Sequence, residues 1–289
     1  MILIFLILCF CYSIQSVSTE GASHSDRDTC SHGNGVCLAM PNEIDVIDIS
    51  PLLNNSTLAE KNAVKLRIGA ACRTWGMFYI TNHGTESISK DFVKQVELFF
   101  ESSKAVKNSV RRQANNSRGF ADDEFTKQKI DTKEIFDVGH KPNPFLPDDA
   151  IENRMLDGYN QWPIGENLEN FRLVVENYYL ACSELAAIIL SAVAFDLGID
   201  SKIFEDAFKQ HTSFLRLNYY PVFPKIDHKS DFLGVNRHTD AGVLTLLLQD
   251  ANSALEVYRW VCVCVCVCVW VGLFVCVGGV VCMCVCVIN

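Results

Sequence analysis

Every Lys, Arg, Asp and Glu of this 289-residue chain lies between Thr19 and Arg259, so both ends are free of charge. A long uncharged segment has no reason to face water and is settled in protein, in lipid, or by removal. The chain therefore reads as three joined stretches: an apolar leader, a middle of ordinary globular texture, and an apolar tail. With 25 Lys and Arg against 34 Asp and Glu, the formal net charge is −9. That balance offers none of the positive footprint that nucleic-acid binding requires.

Ile2 to Tyr12 is an unbroken apolar run followed by small and polar residues from Ser13 to Ser18. Residues 1–18 thus look like a secretory signal peptide, and 19–40 like a linker. The tail, residues 260–289, is dominated by Val-Cys alternation from Val261 to Val269 and again from Cys282 to Val287. A GT dinucleotide repeat encodes only Val and Cys in any frame, so the tail is read as translation of a noncoding repeat. Its uncharged length would also cross a bilayer of ~30 Å as a helix, and its alternation has the period of a strand. Of the 14 Cys, only Cys30, Cys37, Cys72 and Cys182 fall outside the leader and tail. Four such residues make no disulfide scaffold, and without a Cys-x-x-Cys pair they make no zinc ribbon.

The middle alternates helical and strand patterns. Ile44, Val46, Ile47 and Ile49 read as a short strand, and Thr57 to Glu60 form a capping box that opens a helix. Met77 to Thr81 reads as a buried strand. Ile88, Phe92, Val96 and Phe99 share one face of a second helix, with the basic run Lys104 to Arg112 as its solvated end. A long helix from Glu166 to Leu197 carries a core stripe and stops at Gly198. In Phe214 to Pro221 the period of two puts Arg216, Asn218 and Tyr220 on one side of a strand. Val243 to Gln249 reads as a strand buried on both faces.

His238-Thr239-Asp240 is the pattern with chemical content. Residues two apart on a strand face the same way, so an imidazole and a carboxylate converge, a donor pair suited to Fe(II). The surrounding segment, Asn236 to Asp250, closely resembles the iron-binding segment of the Fe(II)/2-oxoglutarate-dependent dioxygenase superfamily, in its isopenicillin N synthase-like branch. Leu215-Arg216-Leu217-Asn218-Tyr219-Tyr220-Pro221 is similar to that family's Asn-Tyr-Tyr-Pro strand, and Asn160-Gln161-Trp162-Pro163 to its Asn-x-Trp-Pro element. Thr74 to Gly84 resembles its N-terminal helix-to-strand signature. The resemblance runs from about Ile44 to about Arg259, as a dioxygenase N-terminal region (41–165) and a long helix plus partial core (166–259).

The resemblance implies an α+β fold: a double-stranded β-helix, or jelly roll, with flanking helices, incomplete at the C-terminus. It implies that His238 and Asp240 bind iron and that Tyr220, with Asn218 nearby, holds 2-oxoglutarate. Fe(II), 2-oxoglutarate as co-substrate and O2 would then oxidise a small organic substrate with release of succinate and CO2. The family's third iron ligand is a His beyond this pair, followed by an Arg-x-Ser that binds the distal carboxylate of 2-oxoglutarate. Here no His follows His238 and no Arg follows Arg259. The chain as written is therefore expected to be inactive. The alternative is a catalytically silent jelly-roll remnant with a binding role, anchored in a membrane if the tail is genuine. His83 reads as structural, and His211 and His228 as surface residues. The leader implies the secretory pathway; without it the expectation is the cytoplasm.

Overall fold

The computed structural model describes residues 2–8, 43–126, 129–141, 145–153, 158–222, 234–235, 238, 240, 242–250, 252, 269–270, 273–274 and 283–287. In chain order the elements are β1 (Ile2–Leu8), β2 (Val46–Asp48), α1 (Ser50–Leu53), α2 (Leu58–Thr74), β3 (Met77–Thr81), α3 (Glu86–Glu101) and α4 (Lys104–Ser109). Next come β4 (Gly119–Ala121), β5 (Phe125–Thr126), β6 (Lys129–Ile130), β7 (Glu134–Gly139), α5 (Phe171–Leu197) and α6 (Lys202–Ala207). The last are β8 (Phe214–Tyr219), β9 (Leu244–Gln249), β10 (Val269–Trp270), β11 (Leu273–Phe274) and β12 (Met283–Val287).

Local chemistry accounts for the helix boundaries. At the start of α2 the Glu60 amide donates to Thr57 Oγ1 (3.3 Å) and the Thr57 amide donates to Glu60 Oε2 (2.8 Å), which is the expected capping box. The single helix expected through Arg112 is instead two. Ser102 turns extended, its hydroxyl donating to the Phe99 carbonyl, and Ser103 caps α4 by accepting from the Val106 amide. Helix α5 ends at Gly198, whose φ of 68° is the left-handed conformation glycine adopts without strain. Gly69 on α2 serves a different need. A Cβ there would lie 1.9 Å from Asp196 Cγ, so its absence lets α2 close on α5 while Arg73 pairs with Asp196.

Eight strands form one mixed sheet in the order β2-β3-β12-β9-β1-β8-β7-β4, and helices cover one of its faces. That face contributes Ile47, Phe78, Ile80, Leu244, Leu246, Leu248, Leu215, Leu217, Phe136 and Phe120 to a core shared with Phe92, Phe99, Phe171 and Tyr178 of α3 and α5. Phe92 and Tyr178 stack with ring centroids 3.8 Å apart, and Phe99 packs against Phe100, Phe120, Phe136 and Phe171. Helix α5 is long and apolar enough to cross a membrane, but its buried residues pack into this core.

The charge-free ends take up strand positions. Ile2–Leu8, within the stretch expected to be a signal peptide, lies antiparallel between β8 and β9. Its run of Ile, Leu and Phe suits a strand as well as a signal peptide, and hydropathy alone does not separate the two. Met283–Val287 runs parallel to both β9 and β3, in keeping with the period-two pattern of the tail. The linker 19–40 with Cys30 and Cys37, His228 and most of the tail lie outside the described residues.

Candidate active site

The face of the sheet turned away from these helices differs in kind from the helix-covered one, although its side chains are buried as well. Alternation along β3, β8 and β9 sends Met77, Tyr79, Asn218, Thr245 and Leu247 to this side. Met77 and Leu247 are buried together, with Ile44, Trp75, Tyr79 and Tyr220 packed around them. The rest of the face is ionic. Asp137 on β7 stands opposite Arg216 on β8, and the guanidinium grips both carboxylate oxygens at 2.9 Å. Arg112 also pairs with Asp137 and donates to Glu124 at 2.8 Å, while Arg216 reaches Glu124 at 3.1 Å. Lys133 closes the cluster between Glu124 (3.3 Å) and Asp131 (3.4 Å).

Burial pushes the Asp137 carboxyl up, but Arg216, Arg112 and Arg118 outweigh it and hold the group below its ordinary value. For Arg216 burial acts downward, and Asp137 and Glu124 reverse it, so the guanidinium stays charged. Tyr220 follows directly after β8. Burial and Asp131 drive its phenol upward against the opposing pull of Arg216, so it stays protonated and able to donate a hydrogen bond.

His238 and Asp240 lie in irregular backbone leading into β9, not on a strand as expected. Their side chains nevertheless converge: His238 Nε2 is 3.3 Å from Asp240 Oδ1. The imidazole is 37 % exposed and the carboxylate 15 %, so the pair opens to solvent on one side. Upstream, Gly234 lies against Tyr220, where a Cβ would come within 2.5 Å of the ring. The Thr132 amide donates to the Gly234 carbonyl at 3.1 Å, tying this segment to the chain after β6. An imidazole and a carboxylate at this separation fit two positions of a ferrous ion. Among the described residues no third His, Cys, Asp or Glu joins them.

The other predicted motifs turn out to be structural. Asn160 accepts from the Gly139 amide (2.7 Å) and donates to its carbonyl (3.0 Å), continuing the sheet beyond β7 with a side chain. Gln161 donates to the carbonyls of Arg118 and Arg111, and Trp162 to Asp148. His83 is buried against the Thr85 hydroxyl at 2.8 Å. The basic run is not simply a solvated helix end, because Lys107 turns inward to Glu134 (2.7 Å) and the Phe100 carbonyl (3.0 Å). Nor is His211 a surface residue: it is half-buried, bonded to Ser213 at 2.7 Å, with its ring centroid 3.8 Å from that of His140.

Sequence reasoning placed Arg216 on the right face but missed the ionic cluster. Its one sequence signal was Asp137, a carboxylate inside the otherwise apolar strand Ile135 to Val138. Burial raises both Cys72 and Cys182 to about 12, so neither is a thiolate near neutral pH. A cavity of about 330 Å³ between α5 and α6, bordered by Leu190, Phe204, Phe208 and His211, contains none of the predicted site residues.

Comparison with known proteins bears on the same two stretches. Residues 44–164 match the family described as non-haem dioxygenase in morphine synthesis N-terminal, and residues 211–277 match the 2OG-Fe(II) oxygenase superfamily. The second match continues past Trp260 into the tail. The chain is 35 % identical over 230 residues to a 2-oxoglutarate-dependent dioxygenase, citB, of Monascus ruber, covering 74 % of this chain and 67 % of that one. It is 29 % identical over 221 residues to gibberellin 20 oxidase 4 of Arabidopsis thaliana, covering 75 % of this chain but only 56 % of the relative. Among solved structures it is similar to a full-length Neurospora crassa protein crystallised in complex with alpha-KG, with a TM-score of 0.56 and 22 % identity over 69 % of this chain and 62 % of that one. A putative 2OG-Fe(II) oxygenase family protein from Caulobacter crescentus gives a TM-score of 0.52 at 21 % identity, over 63 % of this chain and 58 % of that one. The structural likenesses concern the fold, and the family assignment rests on sequence: the chain belongs to the 2OG-Fe(II) oxygenase superfamily.

Proposed function

We propose that the protein is an Fe(II)- and 2-oxoglutarate-dependent oxygenase that oxidises a small organic substrate with release of succinate and CO2. On this reading the mixed sheet is part of a jelly roll, with the candidate site on the face turned away from the helices. His238 and Asp240 would hold iron, and Tyr220, with Asn218 on the preceding strand, would hold 2-oxoglutarate. Bound iron would supply the activation of O2. The chain's own share is to orient the donors, keep the Tyr220 hydroxyl protonated, and cover one side of the site with the Met77–Leu247 patch. The observation that carries the reading is the convergence of His238 and Asp240, 3.3 Å apart, at the entrance to β9.

Among the described residues the site has two protein ligands, and loss of even indirect ligand support costs ~10–100-fold in metal affinity or activity. Cation contacts to a carboxylate are worth about 1.5–3 kcal/mol, yet the Arg216 guanidinium is already committed to Asp137 and Glu124. We therefore expect weak iron binding and little or no turnover from this chain. The test is 2-oxoglutarate consumption and succinate formation with and without Fe(II). Sustained iron-dependent succinate production would contradict the expected inactivity. Iron binding indifferent to His238→Ala would contradict the site and leave the silent-remnant reading standing.

A further inference from the structure

Strands β8 and β9 carry the two halves of the candidate site, Asn218 with Tyr220 and the segment of His238 with Asp240, yet they are not neighbours in the sheet. Each pairs with β1 instead. Residues 2–7 run opposite 219–214, and residues 3–8 run opposite 249–244. Leu3 stands in register with both Asn218 and Gln249, and Phe5 with both Arg216 and Leu247. We infer that Ile2–Leu8 is a bridging strand, and that the two halves of the site are held in register only while these residues remain part of the chain. The inference uses the proposed function only for what the two strands carry; the bridge itself is a matter of backbone pairing.

The physical argument is one of edges. Without β1, both β8 and β9 would present a row of unpaired N–H and C=O groups on facing sides of a gap one strand wide, about 9–10 Å across at 4.7–4.9 Å per strand spacing. No hydrogen bond spans that distance. The connection from Leu8 to Val46 is 37 residues long, so β1 is supplied from far along the chain. The segment has two mutually exclusive fates. Processing that removed residues 1–18 as a leader would also remove the link between the halves of the site.

Amide hydrogen exchange on the full 289-residue chain, produced without export, tests this against a deletion of residues 2–8, Phe5→Pro and Phe5→Val. Proline removes a ladder donor from the middle of a strand paired on both sides, whereas valine keeps strand propensity. The expected result is that amides of 214–219 and 244–249 exchange at least about tenfold faster in the deletion and in Phe5→Pro, with α5 unchanged and Phe5→Val close to the parent. Unchanged protection in the deletion would overturn the inference. So would loss of protection spread equally over α5, which would make β1 a general stabiliser and not a bridge. Exchange needs neither iron nor 2-oxoglutarate, so a failed bridge and a failed oxygenase assignment are read separately.

Discussion

The two faces of the sheet are built from the same strands by opposite rules. The helix-covered face is almost wholly hydrocarbon, a continuous aromatic and aliphatic core from Ile47 to Leu248. The other face sets a small apolar patch around Met77 and Leu247 beside a cluster of paired guanidinium and carboxylate groups, with Tyr220 touching both. Packing on the first face tolerates little change of volume but needs no particular chemistry. The second face holds buried charges, which cost more to desolvate than their pairing returns in stability unless the geometry is good. On the proposed function the difference sets fold maintenance on one side and the candidate site on the other, although both are read from alternate residues of single strands.

The sharpest way to test this division is to remove volume from the covered face. Phe99→Ala deletes a fully buried ring in contact with four other aromatic side chains. It is expected to cost about 3–5 kcal/mol in chemical denaturation. A cost under about 1 kcal/mol would mean that the covered face is not the stabilising one.

Charge removal on the opposite face comes next. Asp137→Asn keeps the shape but leaves Arg216 and Arg112 without their shared carboxylate. The expected loss is about 3 kcal/mol, at the low end of the range for breaking a buried pair. Replacing Asp137 and Arg216 together by Leu and Met is expected to recover most of that stability while weakening 2-oxoglutarate binding, because Tyr220 loses its charged surroundings. If the double variant binds 2-oxoglutarate as the parent does, the ionic cluster has no part in the site.

The smallest expected effect is on pH dependence. Burial, with some repulsion from His211, lowers His140 from 6.5 to about 4. A histidine depressed in the folded state binds its proton more readily when unfolded, so stability is full above about pH 6.5 and declines as pH falls toward 4. His140→Gln should flatten this part of the stability curve by removing the group that titrates. An unchanged slope between pH 6.5 and 4 would place the acid sensitivity elsewhere.

Much of this was legible in the sequence because it depends on local pattern. The capping box at Thr57, the stop at Gly198 and the shared face of Arg216, Asn218 and Tyr220 follow from spacing alone, whereas His238 and Asp240 approach each other in irregular backbone and not through the strand geometry expected of them. The break at Ser102 and Ser103 escaped because helical periodicity continues across it. The ionic cluster escaped because its members come from five separate segments between Arg112 and Arg216, brought together only by strand order. The role of Ile2–Leu8 escaped for a related reason: an apolar run declares that it avoids water, not where it goes. His211 was misplaced because His140, whose ring lies against it, is brought there only by the pairing of β7 with β8.

The most direct measurement is a calorimetric titration of Fe(II) into the full chain under anaerobic conditions, alongside His238→Ala and Asp240→Ala. The account predicts one binding event in the parent, weakened by about tenfold or more in each variant. Equal affinity in all three proteins would contradict it, because the iron would then be held by groups other than the pair at the entrance to β9.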